Sequence, residues 1–145
     1  MSDDIGKRIT NIHHVGFVVH DLDQSVEFYE MLGFKLTDRW IEHEHECADG
    51  LGVPGAQIEL AAFSGYEINF ELIQFLKSAG DNTPIPSNKI GAGHLSILTD
   101  DIYGLIERLK NTGVKVASEI TDHPTASWVH LFDPDGIRVE LMQMM

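Results

Sequence analysis

Hydrophobic and polar positions set out one plan twice along the chain. Residues 10–20 alternate loosely and favour Val and Ile types, the period of a strand whose successive side chains face opposite ways. Leu22, Val26, Tyr29 and Leu32 or Gly33 then recur at helical spacing and form a core-facing stripe. Asp21 is placed to cap that helix, with Gln24 three residues on as a capping-box partner, and Gly33 to end it. Phe34–Trp40 reads as a strand, and the polar stretch Ile41–Gly55 as a loop or short helix. Gln57–Phe63 and Glu67–Phe75 read as two strands joined at Ser64-Gly65-Tyr66. A run of breakers follows: Gly80, Asn82, Pro84, Pro86, Ser87 and Gly91. The plan then repeats. Gly93–Thr99 is a strand, and Asp100 or Asp101 caps a helix with Ile102, Leu105, Ile106 and Leu109 inward. Gly113 stops that helix, and strands follow at Val114–Ile120, Ser127–Phe132 and Gly136–Gln143. Asp133-Pro134-Asp135-Gly136 marks a tight turn before the last strand. The element order is βαβββ, twice.

The repetition extends to individual residues. Sliding His14 onto His94 aligns HVGFVVHDLDQSVEFYEMLGFKL with HLSILTDDIYGLIERLKNTGVKV without a gap, and FELIQ at Phe70–Gln74 matches VELMQ at Val139–Gln143. Each half therefore opens on a strand His and closes on a strand Glu. The neighbours that alternate onto the same faces are mostly apolar, and an ionised carboxylate there needs a compensating charge. Two imidazoles and two carboxylates, His14, Glu71, His94 and Glu140, are together explained by one divalent cation. Mixed N/O donors suit Ni, Co, Zn, Mn or Fe without choosing among them. The other histidines read differently. His13 alternates away from His14 and points outward. His20 and His123 sit in polar turns, and His43-Glu44-His45-Glu46 reads as solvated loop. His130 reads either as an acid or base beside the site or as a strand histidine away from it. Trp40 and Trp128 line the site or fill core, and Asn69 and Arg138 neighbour ligands on their strands.

Composition narrows the classes. An apolar fraction of 43% is enough for a real core. A formal net charge of −13 opposes nucleic acid and anionic membranes, although a local cation can still draw an anionic small molecule. No apolar run approaches the length of a membrane helix, and the charged N-terminus lacks a signal peptide's apolar segment. Cys47 is alone, so an internal disulfide is excluded, and the expected compartment is the cytoplasm.

HHVGFVVHDLDQSVEFYEMLGF, GHLSILTDDI and LFDPDGIRVELMQ resemble the vicinal oxygen chelate superfamily. It includes glyoxalase I, methylmalonyl-CoA epimerase, extradiol dioxygenases, and fosfomycin- and bleomycin-resistance proteins. The resemblance covers nearly the whole chain. It implies an α+β fold of two tandem βαβββ modules whose curved mixed sheets surround a metal-binding cleft. It places one divalent metal ion on His14, Glu71, His94 and Glu140, and it implies a small oxygenated substrate and a homodimer. On this reading residues 1–145 are one domain, with module one at 9–76, a linker at 77–91 and module two at 92–145.

Within the superfamily, the four-ligand set resembles bacterial glyoxalase I, in which a ligand Glu acts as base, implying that role for Glu71 or Glu140. Those enzymes carry Arg where this chain has Val18 and Asn where it has Phe75, both anchors for glutathione. The epimerases imply a further base at Glu59, which alternation puts with Ala61 and Phe63 toward the cleft. They usually have Gln at the Glu71 position and a second His at Gly93. Extradiol dioxygenases imply an Fe(II) triad of His14, His94 and Glu140, leaving Glu71 as a surplus ligand. The resistance proteins imply a cleft that binds without catalysis. The resulting expectation is a metal-dependent lyase or isomerase moving a proton beside a chelated carbonyl.

Overall fold

The computed structural model describes residues 5–43, 45 and 50–145. The readings placed on Glu44, Glu46 and Cys47 fall outside these residues. The chain divides into two compact units, residues 1–80 and 81–145. Each holds a mixed sheet with an α-helix packed on it, so the α+β class expected from the sequence is what is found.

The first unit runs β1 (Val15–Val19), α1 (Leu22–Met31), β2 (Lys35–Glu42), β3 (Gln57–Gly65) and β4 (Ile68–Lys77). Its strands lie in the order β1-β4-β3-β2, with β1 parallel to β4 and the other pairs antiparallel. The strand expected from residue 10 begins only at Val15. Two residues upstream of Val15 its partner has already reached Ile68, where β4 starts, so there is no ladder to extend. The two-residue turn Tyr66-Glu67 joins β3 to β4 with both residues at positive φ, 51° and 65°, the left-handed geometry that matches strand twist in a tight hairpin.

One face of this sheet is sealed by α1. Phe63 and Phe70, register partners on β3 and β4, stack at 4.9 Å between centroids, and Tyr29 of α1 lies 5.1 Å from Phe70. All three are buried. Truncating an aromatic in such a setting costs about 3–5 kcal/mol. The stripe on α1 differs slightly from the expected one: Leu22 and Tyr29 are buried as read, Phe28 and Ser25 join them, and Val26 is only half-buried.

The second unit runs β5 (His94–Leu98), α2 (Ile102–Asn111), β6 (Lys115–Val116), β7 (Thr121–His123), β8 (Ala126–Phe132) and β9 (Arg138–Met144). The order is β5-β9-β8-β6, with β7 also pairing β8. Of the strand expected over Val114–Ile120 only Lys115–Val116 forms, since Ser118 and Glu119 are exposed and carry no apolar face to bury, and β7 is a further strand just beyond the expected one. Ile102, Ile106 and Leu109 of α2 are buried, as are Val129, Leu131, Val139 and Leu141 of β8 and β9. The turn at Asp133–Gly136 forms as read: the buried Asp133 carboxylate accepts the backbone N–H groups of Asp135 (2.9 Å) and Ile137 (2.8 Å).

The helix ends repeat in detail. Asp21 caps α1 through the N–H groups of Asp23 and Gln24, and Asp101 caps α2 through that of Gly104. Gly33 and Gly113 end the two helices at φ 94° and 89°, a conformation open to Gly without a Cβ penalty. One device was invisible in the helix sequences. Gln74 Oε1 accepts from the N–H of Leu22 (2.8 Å), and Gln143 Oε1 accepts from that of Ile102 (2.9 Å). The last residue of each FELIQ/VELMQ motif thus pins the first turn of its own unit's helix.

Candidate metal centre

Strand alternation decides what each sheet shows on the face away from its helix. In the first unit Phe70, Leu72 and Gln74 face α1, so Glu71, Ile73 and Phe75 face the other way. Register puts Ala62, Leu60 and Ile58 of β3, and Gly16 and Val18 of β1, on the Glu71 side. Trp40 packs there, against a cluster of Ala56, Ile58 and Leu60 together with Ile73 and Phe75. Glu71 is therefore a carboxylate set among apolar neighbours, its side chain 13% exposed. His14, one residue before β1, brings Nε2 to 3.0 Å from Glu71 Oε2.

The second unit repeats this arrangement. Ser96 of β5 is the register partner of Glu140, as Gly16 is of Glu71. The Glu140 side also carries Arg138, Met142, Trp128, His130 and Phe132. His94 Nε2 lies 3.7 Å from Glu140 Oε2. His130, directly across the ladder, brings Nε2 to 3.4 Å from Glu140 Oε1, and its ring centroid is 5.4 Å from that of His94. His130 thus stands beside Glu140 rather than away from it. Arg138 lies over the Phe132 ring, 5.2 Å from its centroid.

Bonds of about 2.1 Å to one cation set adjacent N and O donors roughly 3.0–3.5 Å apart. The His14–Glu71 pair fits that spacing, the His94–Glu140 pair lies slightly beyond it, and the donors are the hard and borderline types a divalent metal accepts. His13, His14 and Glu71 also offer three ligand atoms all within 4.8 Å of one another.

Two sequence readings need correction. Glu59 was expected on the side of Glu71, but it is the register partner of Gln74 and shares the helix side with Ala61 and Phe63. There Arg39 Nε donates to Glu59 Oε1 at 2.7 Å, and Arg39 also pairs with Asp23 of α1 at 2.7 Å. The hydrogen bond to Glu59, then that to Asp23, raises the Arg39 pKa above its ordinary value. Glu59 is thus a tie between sheet and helix. His13 was expected to point away from His14. It is exposed, yet its Nδ1 sits 2.8 Å from His14 Nδ1. Both residues precede β1, so strict alternation does not govern them. Of the remaining histidines, His43 pairs with Gln57 (3.0 Å) and His123 with Thr125 (3.1 Å).

The two units thus repeat one arrangement, a His beside a Glu at equal register. The family described as the Glyoxalase/Bleomycin resistance protein/Dioxygenase superfamily matches residues 11–141, and the chain belongs to it. Lactoylglutathione lyase of Schizosaccharomyces pombe is 28% identical over 143 residues, covering 90% of this chain, and this chain spans 46% of that enzyme's length. The 2-epi-5-epi-valiolone epimerase of an Actinomyces species is 30% identical, covering 92% of this chain and 79% of the epimerase. A glyoxalase family protein from Bacillus cereus has the same fold, with a TM-score of 0.84 at 21% identity, covering 100% of this chain and 99% of that one. The family supports an enzyme of the glyoxalase type. No helix among the described residues is long and apolar enough to cross a membrane.

Proposed function

We propose that the protein is a metal-dependent lyase or isomerase that moves a proton next to the carbonyl of a small oxygenated substrate. One observation carries this reading: each unit holds a His–Glu pair in contact on the sheet face its helix leaves open, at 3.0 Å and 3.7 Å. The pairs His14–Glu71 and His94–Glu140 are the residues that would serve as donors to a divalent ion, Ni, Co, Zn, Mn or Fe. When bound, such an ion supplies Lewis acidity to a substrate oxygen. Glu71 or Glu140 takes the proton from the carbon beside the carbonyl as the C–H electron pair moves toward the oxygen, and returns it to the same or the adjacent carbon. Ile73, on the same side of β4, belongs to an apolar cluster that lowers the polarity around Glu71. Arg138, fixed over Phe132, offers a guanidinium to a substrate carboxylate or carbonyl.

The names of the two relatives, a lactoylglutathione lyase and an epimerase, favour this chemistry over simple binding. Val18 stands exposed on the Glu71 side and Phe75 is half-buried in the apolar cluster. With those residues at the two positions where glutathione enzymes carry Arg and Asn, the substrate is proposed to be something other than a glutathione adduct. A homodimer, implied by the resemblance, is part of the proposal, and light scattering reads it directly.

The test is proton exchange. Protein loaded in turn with Ni, Co, Zn and Mn is expected to wash solvent deuterium into the carbon beside the carbonyl of an acyl-CoA or 2-oxo compound. Failure to take up any of these metals sinks the proposal. So does oxygen uptake with a catechol by the Fe(II)-loaded protein without any exchange, which assigns the site to ring-cleaving oxidation instead.

A further inference from the structure

The two half-sites are not equivalent. His14 is held by another histidine, and His94 is not. His13 Nδ1 lies 2.8 Å from His14 Nδ1, with the rings nearly perpendicular at 81°. At that distance one nitrogen donates and the other accepts. The opposite nitrogen of His14, Nε2, is the one 3.0 Å from Glu71. A neutral imidazole has one N–H and one lone pair, so a proton on Nδ1 leaves the Nε2 lone pair for a cation shared with the Glu71 carboxylate. In the second unit Gly93 occupies the place of His13. Among the described residues no hydrogen bond holds Nδ1 of His94, whose side chain is 49% exposed against 37% for His14.

The geometry points to His13 as a positioning residue. Its Nδ1 accepts the Nδ1–H of His14, fixes that ring's tautomer and orientation, and so presets the Nε2 lone pair for a metal ion. Histidine ligands generally donate their second N–H to a partner, and losing that partner costs about 10–100-fold in metal affinity. The usual partner is a carboxylate or a carbonyl, and here it is the preceding residue, made available because the chain at His13 has not yet joined the sheet. This inference rests on the reading of His14 and Glu71 as metal ligands.

The experiment is calorimetric titration of Ni(II) into the full chain as wild type, His13→Ala and His13→Asn. X-ray absorption of the Ni-loaded forms then counts bound imidazoles. Wild type is expected to bind stoichiometrically, and His13→Ala about 10–100-fold more weakly. His13→Asn, whose amide oxygen can accept the same N–H, is expected to recover part of the loss. The imidazole count stays the same in all three. His13 is exposed, so the metal-free melting temperature is expected to be unchanged by either substitution. Equal affinity in wild type and His13→Ala overturns the inference while leaving the proposed function intact. Loss of one imidazole in His13→Ala also overturns it, by making His13 a direct ligand. If wild type takes up none of Ni, Co, Zn and Mn, both the inference and the proposed function fall.

Discussion

Glu71 and Gln74 stand three residues apart on β4 and therefore serve opposite faces of one sheet. Glu71 meets His14 on the open face, while Gln74 reaches through the helix-covered face to the N–H of Leu22. Glu140 and Gln143 divide β9 in the same way. An odd spacing in a strand thus couples site to scaffold.

That division predicts separable phenotypes. Gln74→Ala leaves the Leu22 N–H without its side-chain acceptor and is expected to lower stability by about 0.5–1.5 kcal/mol, with metal uptake unchanged. Glu71→Ala is expected to do the reverse, abolishing stoichiometric metal binding with little loss of fold. Urea midpoints and the metal content of desalted protein read the two effects. A Gln74→Ala protein that loses its metal would show that the two faces are not independent.

His130 is expected to matter to the metal through Glu140, whose Oε1 lies 3.4 Å from its Nε2. His130→Phe keeps a ring of similar size and is expected to weaken metal binding about tenfold. The substitution also removes Nδ1, a buried nitrogen with no hydrogen-bond partner among the described residues. An unsatisfied buried polar atom costs about 1–3 kcal/mol, so the metal-free variant should melt no lower than wild type. Glu140→Ala should lose stoichiometric metal altogether, and its retention refutes that assignment.

Glu59 should be dispensable for turnover. Its partner is Arg39 on the helix side, and a partly exposed ion pair contributes about 0–1 kcal/mol. Glu59→Gln is expected to keep the wild-type exchange rate and to shift the unfolding midpoint only slightly. A drop in rate of tenfold or more, with the fold intact, would return Glu59 to the chemistry.

Acid stability has a local contribution from Asp122. Ser127 Oγ donates to Asp122 Oδ1 at 2.5 Å and the Tyr103 hydroxyl to Oδ2 at 2.6 Å. These bonds, Ser127 first, hold the Asp122 pKa below its ordinary value. A lowered carboxylate pKa stabilises the fold above the unfolded value, and that contribution disappears as pH falls through the folded one. The window lies below about pH 4. Ser127→Ala is therefore expected to unfold more easily than wild type at pH 7, with the gap narrowing on acidification toward pH 3. Denaturant midpoints at the two pH values check this, and a gap that widens in acid contradicts it.

The sequence by itself determined the duplicated order of elements apart from the extra strand β7, the helix cap at Asp21 and one within Asp100–Asp101, the glycine stops at Gly33 and Gly113, and the turn at Asp133–Gly136. These depend on residues close in the chain, where period, capping and φ preference act directly. It also singled out His14, Glu71, His94 and Glu140, because the repeat placed them at matching ends of matching strands, and within each unit the His and the Glu meet. Only the tertiary structure decided which face each side chain serves. Glu59 and Glu71 sit on neighbouring strands, and their faces depend on the β3–β4 register: Ala62, not Glu59, stands opposite Glu71. A slip of one residue would exchange them. Pairing likewise brought His130 to Glu140, a contact that no spacing along the chain encodes, and the start of β1 at Val15 left His13 and His14 free of strand alternation.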